Sequence, residues 1–71
     1  MNRYSYEELK EKAMKSNASQ EDIENLADWF WHYGDSYWNG EYFGIDETHI
    51  LIPIYEEKED GEFEIVRHEI R

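Results

Sequence analysis

The sequence predicts an α+β domain in which two N-terminal helices pack on a three-stranded antiparallel β-meander, in the order ααβββ. Three observations carry that expectation. Residues 5–33 hold two helix-start signals, each followed by apolar residues at helical spacing. Asn39-Gly40 then breaks the pattern with a strong turn signal. Residues 49–70 alternate apolar and polar side chains on either side of one Asp-Gly turn. The 71 residues make one domain, near the lower size limit at which a single core suffices, and no Cys is present to staple it.

Each element has a local reason. Ser5-Tyr6-Glu7-Glu8 reads as a capping box, with Ser5 as N-cap and Glu8 at N3. The helix should run to about residue 16, with Tyr6, Leu9 and Ala13 as a narrow apolar stripe. Ser19 is a second N-cap, Glu21 and Asp22 suit the positive end of the helix dipole, and Gly34 sits where a C-cap glycine belongs. Within the second helix, residues 20–33, a turn of about 100° per residue puts Ile23, Leu26, Ala27, Phe30 and Tyr33 on one face, the expected core. Trp29 and Trp31 flank that face, while Glu24, Asp28 and His32 should point outward.

Tyr42 and Phe43 should begin a short strand that turns at Asp46-Glu47. Residues 49–56 read as the next strand, with Ile50, Ile52 and Ile54 on one face and Leu51, Pro53 and Tyr55 on the other. Pro53 has no N–H to give a ladder, so its N–H side belongs at an edge or a bulge. Glu59-Asp60-Gly61 closes a hairpin into a last strand over residues 62–70. There Phe63 and Ile65 keep one phase and Val66, His68 and Ile70 the other, which predicts a bulge near Val66.

Charge is the dominant global signal. Eighteen acidic residues against seven basic ones give a net charge of -11. The N-terminal 16 residues are slightly basic, so residues 17–71, with only Lys58, Arg67 and Arg71 as cations, carry the whole deficit. Such a polyanion is repelled by nucleic acid and by anionic membranes, and attracted to basic surfaces. MNRYSYEELK lacks the apolar core of a secretory signal, and residues 50–55 are too short to span a bilayer, so a cytoplasmic protein of the host cell is expected.

Catalytic and metal chemistry find little footing. Residues 56–67 place Lys58 and Arg67 where a calcium loop needs oxygen ligands. His32, His49 and His68 are widely spaced, without zinc-site spacing. Asp28 and His32 fit an exposed i,i+4 pair, and no phosphate loop, dinucleotide fingerprint or nucleophile elbow occurs. The expectation is a non-enzymatic chain with no cofactor and no metal.

Eight of the twelve aromatic residues lie between Trp29 and Phe43. They could form a core, a stacking platform or anchors for a partner. With no Lys or Arg between Lys15 and Lys58, base stacking lacks the positive charge that accompanies it. The candidate partner-binding residues are therefore the carboxylates Glu24, Asp28, Asp35, Glu41, Glu56, Glu57, Glu59 and Asp60, with Trp31, Tyr37 and Trp38 as aromatic anchors at the rim.

In length, acidity, lack of Cys and α+β pattern the chain resembles the small acidic anti-defence proteins of phages and mobile elements, namely anti-CRISPR proteins and antirestriction DNA mimics. Residues 28–43, followed by Ile52-Pro53-Ile54-Tyr55, are also similar to short proteins of Gram-positive mobile elements. The first resemblance implies a protein inhibitor that occupies the nucleic-acid-binding surface of a Cas or restriction nuclease. Its partner would be a basic nucleic-acid-handling protein, most specifically a Cas nuclease, with no direct contact to nucleic acid or membrane. The alternative is an acidic interaction or regulatory module of a mobile element, without mimicry.

Overall fold

In the computed structural model, which describes residues 5–71, two helices precede a three-stranded antiparallel sheet, the α+β arrangement ααβββ. Arg3, part of the N-terminal basic balance, and the first four residues of the leader reading lie outside the described residues. The helices are α1 (Tyr6–Ala13) and α2 (Gln20–Tyr33), followed by a 3-10 turn (Asp35–Tyr37). The strands are β1 (Phe43–Gly44), β2 (Ile50–Glu57) and β3 (Phe63–Ile70), side by side in chain order.

Both helix starts are capped as the sequence indicates, but unequally. At α2 the box is complete: Asp22 N–H donates to the Ser19 hydroxyl, and Ser19 N–H donates to the Asp22 carboxylate. At α1 only half forms, because Glu8 N–H reaches Ser5 Oγ at 3.3 Å while the Glu8 carboxylate meets the Ser5 hydroxyl instead of its N–H. α1 also ends at Ala13, short of residue 16. The Ser and Asn residues of the connection favour turns over continued helix, and Ala18 N–H closes one onto the Lys15 carbonyl.

Gly34 terminates α2 for a steric reason. Its φ of -104° is open to any residue, but a Cβ there would lie 2.7 Å from Cδ1 of the Phe30 ring. The glycine lets the chain turn tightly over the core ring. Asn39-Gly40 then reverses the chain: Asn39 Oδ1 accepts from Glu41 N–H and Tyr42 N–H, and Trp38 bridges Phe43 across the turn. Asp46 organises the next turn by accepting from the N–H groups of Thr48 and His49 at 2.8 Å each. Those bonds, led by that of Thr48, hold the Asp46 carboxyl down at about 2.

The core is a sandwich of α1, α2 and one face of the sheet. Leu9 and Ala13 from α1, Leu26, Ala27 and Phe30 from α2, and Phe43, Ile45 and Leu51 from the sheet side are all buried. Tyr33 is not among them. It is 73% exposed and meets the Trp29 ring at a tilt, because it lies about 60° around the helix from Phe30 and in the last turn of α2.

β2 and β3 pair from Leu51↔Ile70 to Glu57↔Phe63, with the register shifting between Ile54 and Tyr55. Ile54 faces Arg67 and Tyr55 faces Ile65, so Val66 is the extra residue of a bulge. The bulge resets the phase. Phe63 and Ile65 thereby join His68 and Ile70 on the face that carries the helices. Pro53 faces the β1 side of β2, past the end of two-residue β1, so its missing N–H breaks no ladder.

Phe30→Ala should therefore lower stability by about 3–5 kcal/mol in urea unfolding. Tyr33→Ala should stay within about 0.5 kcal/mol of the parent. Equal losses at the two positions would contradict the orientation of α2.

Candidate functional site

The aromatic segment divides around one contact. Phe30 and Phe43 stack at 4.9 Å with ring planes 15° apart, both fully buried. On one side Trp31 and Trp38 lie 5.1 Å apart and both pack on Phe43. On the other, Tyr6 stacks on Trp29 at 4.4 Å, with Tyr37 against both Tyr6 and Phe30. Burial, then the nearby Tyr37, Glu7 and Asp46, push the Tyr6 phenol above its ordinary value. Trp31 and Tyr37 are each 41% exposed, so both present part of a ring to solvent. Of the three expected anchors, Trp31 and Trp38 come together, and Tyr37 sits with the other group.

Glu24 is turned inward, contrary to the outward placement its helical position suggests. His68, 7% exposed on β3, projects from the sheet toward α2, and four polar contacts converge on it. Glu24 Oε1 lies 2.8 Å from its Nδ1, and Glu24 Oε2 accepts its backbone N–H at 2.7 Å. Gln20 donates to its carbonyl at 2.9 Å and to Glu24 at 2.7 Å. Trp31 Nε1–H donates to its Nε2 at 3.0 Å. An indole can only donate, so Nε2 accepts and the ring proton sits on Nδ1, facing the carboxylate. Both ring nitrogens are occupied, which makes this a structural tie between helix and sheet.

Burial raises the Glu24 pKa, but the bonds from the His68 side chain, the His68 backbone and Gln20 outweigh it, and the net shift is downward. The network was not read from the sequence, since its partners lie 44 residues apart. One signal was available: the phase break at Val66 puts His68 inward, and a buried imidazole needs partners.

The other expected carboxylates are exposed. Asp28 lies 3.4 Å from His32 on the solvent side of α2, Asp35 opens the 3-10 turn, and Glu41 follows Gly40 in the tight turn. Glu56, Glu57, Glu59 and Asp60 sit together on the β2–β3 hairpin, joined there by Glu62 and Glu64. Glu56 stands directly opposite Glu64, a like-charge pair that costs sheet stability; Lys58 lies 3.8 Å from Glu64. The same hairpin exposes Tyr55, Phe63, Ile65 and Val66, at 53%, 67%, 38% and 45%. Sequence reasoning did not name these four as candidates, because alternation assigns side chains to faces without saying which part of a face is covered.

Elsewhere, a shallow groove of about 270 Å³ is lined by Glu7, Lys10, Glu11, Met14 and Asp46, and contains none of the expected partner-binding residues. Among the described residues no three His, Cys, Asp or Glu side chains converge as a metal site, and no helix is long and apolar enough to cross a membrane. Compared with protein-family models, curated proteins and solved structures, the chain matches none.

Glu24→Ala leaves two donors of His68 without a partner and should cost about 2 kcal/mol at pH 7. Because the folded pKa lies below the ordinary value of 4.5, the carboxylate's contribution is fully present above 4.5 and is lost as pH falls through the lower folded value. The gap between parent and variant, followed by Trp fluorescence in urea, should therefore close in acid. A gap independent of pH down to about 2 would show that the charge of Glu24 is immaterial.

Proposed function

We propose that this chain is a non-enzymatic inhibitor that binds a basic, nucleic-acid-handling protein. An RNA-guided Cas nuclease is the first target to test and a restriction nuclease the second. The observation that carries the reading is the charge: a net of -11, with fifteen carboxylates and three cations over residues 17–71. On the hairpin those carboxylates are solvent-facing and kept in spite of like-charge pairing. Carboxylates spaced along a rigid hairpin can meet the Arg and Lys side chains that otherwise hold phosphates. Trp31 and Trp38 supply aromatic surface of the type that dominates interface hot spots.

The exposed apolar side chains on the same hairpin favour a second reading, an acidic interaction module whose affinity comes from apolar contact without mimicry. Salt separates the two, since exposed charge attraction is screened over about 8 Å at physiological ionic strength.

Titrating the protein into cleavage reactions of purified nucleases should identify one that is inhibited. Its association rate should fall about tenfold or more between roughly 50 and 500 mM salt. The combined Glu56→Gln, Glu57→Gln, Glu59→Gln, Asp60→Asn variant should lose most of that salt dependence and keep its fold. Asn at 60 preserves the acceptor for Glu62 N–H. Trp31→Ala is a poorer probe, because it also removes a bond to His68. Inhibition that is unchanged by salt and by the four neutralisations would refute electrostatic mimicry.

A further inference from the structure

We propose that the β2–β3 hairpin takes an extended, Lys- or Arg-bearing segment of a partner protein as a fourth strand along residues 63–65 of β3. The argument begins with the backbone. Ile50 and Arg71 exchange hydrogen bonds at 2.7 and 2.8 Å, and Lys58 N–H donates to the Glu62 carbonyl. Antiparallel alternation then directs the N–H and C=O groups of the even-numbered β2 residues toward β3. With Val66 as the extra residue, the outward-facing groups of β3 belong to Phe63, Ile65, His68 and Ile70.

The protein treats these outward positions differently. At His68, Glu24 and Gln20 of α2 bond the N–H and the C=O, standing in for a neighbouring strand. At Phe63 and Ile65 no described residue does so. The edge is thus covered where α2 passes and open where the hairpin extends beyond it.

Side chains on the same stretch favour an added strand. Tyr55↔Ile65 and Glu57↔Phe63 are cross-strand pairs on the helix-bearing face, and the three apolar members are exposed there. In strand addition the main chain supplies bonds, and alternate side chains of the incoming segment rest on such a surface. Charge selects the occupant. Residues 56–64 hold six carboxylates against Lys58, so a second copy of this chain would bring like charge to the edge and be repelled. A segment carrying Lys or Arg meets the opposite sign. The inference rests on the functional reading above only for the sign of the partner's charge; it does not require a nuclease.

The test uses a seven-residue peptide alternating Lys and Val, the same peptide with Pro at its centre, and a Glu/Val counterpart. Hydrogen exchange of individual amides is followed by NMR on the full chain. The Lys/Val peptide should slow exchange at Phe63 and Ile65 at least tenfold at saturation, while the Pro and Glu/Val peptides should not. The double variant Tyr55→Thr, Phe63→Thr alters only exposed side chains and should bind the Lys/Val peptide at least tenfold more weakly, with an unchanged circular dichroism spectrum.

Absence of binding, equal binding of the Pro peptide, or a dimer that depends on Phe63 would each overturn the proposal. Salt-sensitive binding without protection at Phe63 and Ile65 would also overturn it, and would leave the electrostatic reading of function standing. Protection at those amides, in a protein that inhibits no nuclease, would support the docking mode and remove the inhibitor reading.

Discussion

The contact between Phe30 and Phe43 sets the spacing between the helical layer and the sheet. In a 71-residue chain with no disulfide, that interface has to supply most of the cohesion. Both rings are fully buried, and the neighbouring parts of the chain are shaped around them. Gly34 is small because a side chain there would strike Phe30. Asn39-Gly40 is tight because Trp38 and Phe43 must face each other across it. The aromatics packed around the stack fall into two groups, Tyr6, Trp29 and Tyr37 on one side and Trp31 and Trp38 on the other.

A second constraint is the treatment of sheet edges. A three-stranded sheet has two, and unpaired strand edges invite association. On the β1 side Pro53 offers no donor, and on the β3 side helix side chains occupy His68. α2 therefore has two duties: its apolar face builds the core, and the Gln20–Glu24 flank closes part of an edge. Carboxylates guard what remains open on the hairpin, at the cost of the Glu56–Glu64 repulsion.

Most of the fold was legible because local chemistry and global pattern agree. Ser19 with Asp22 started α2, Asn39-Gly40 and Asp60-Gly61 marked turns, and the phase break located the bulge at Val66. The exceptions have physical causes. Tyr33 satisfies the helical period, yet burial also needs something to pack against, and in the last turn of α2 its ring stays 73% exposed. α1 stops early because connection length is a competition among weak preferences. For the site, the cluster of acids on the hairpin was readable from composition and spacing, whereas the pairing of Trp31 with Trp38, apart from Tyr37, was not. The inward turn of Glu24 was not, since it depends on which residue of a strand 44 positions away comes to lie beneath the helix. Nor was the exposure of Tyr55, Phe63 and Ile65, because alternation defines a face without saying how far the helices extend over it.

The bulge at Val66 lets the chain change length at one place without changing its pairing. Val66 is the residue of β3 that the pairing with β2 skips, so removing it would restore an uninterrupted ladder and leave every cross-strand pair as it is. Phe63 and Ile65 would stay on the helix side with His68 and Ile70, and Glu64 would stay opposite Glu56. The core around Phe30 lies on the far side of the bulge and would keep its composition. A one-codon deletion could therefore arise in a population as a folded protein whose hairpin keeps its chemical surface but loses the bend and twist of the bulge, a change of shape that substitutions would reach only in several steps.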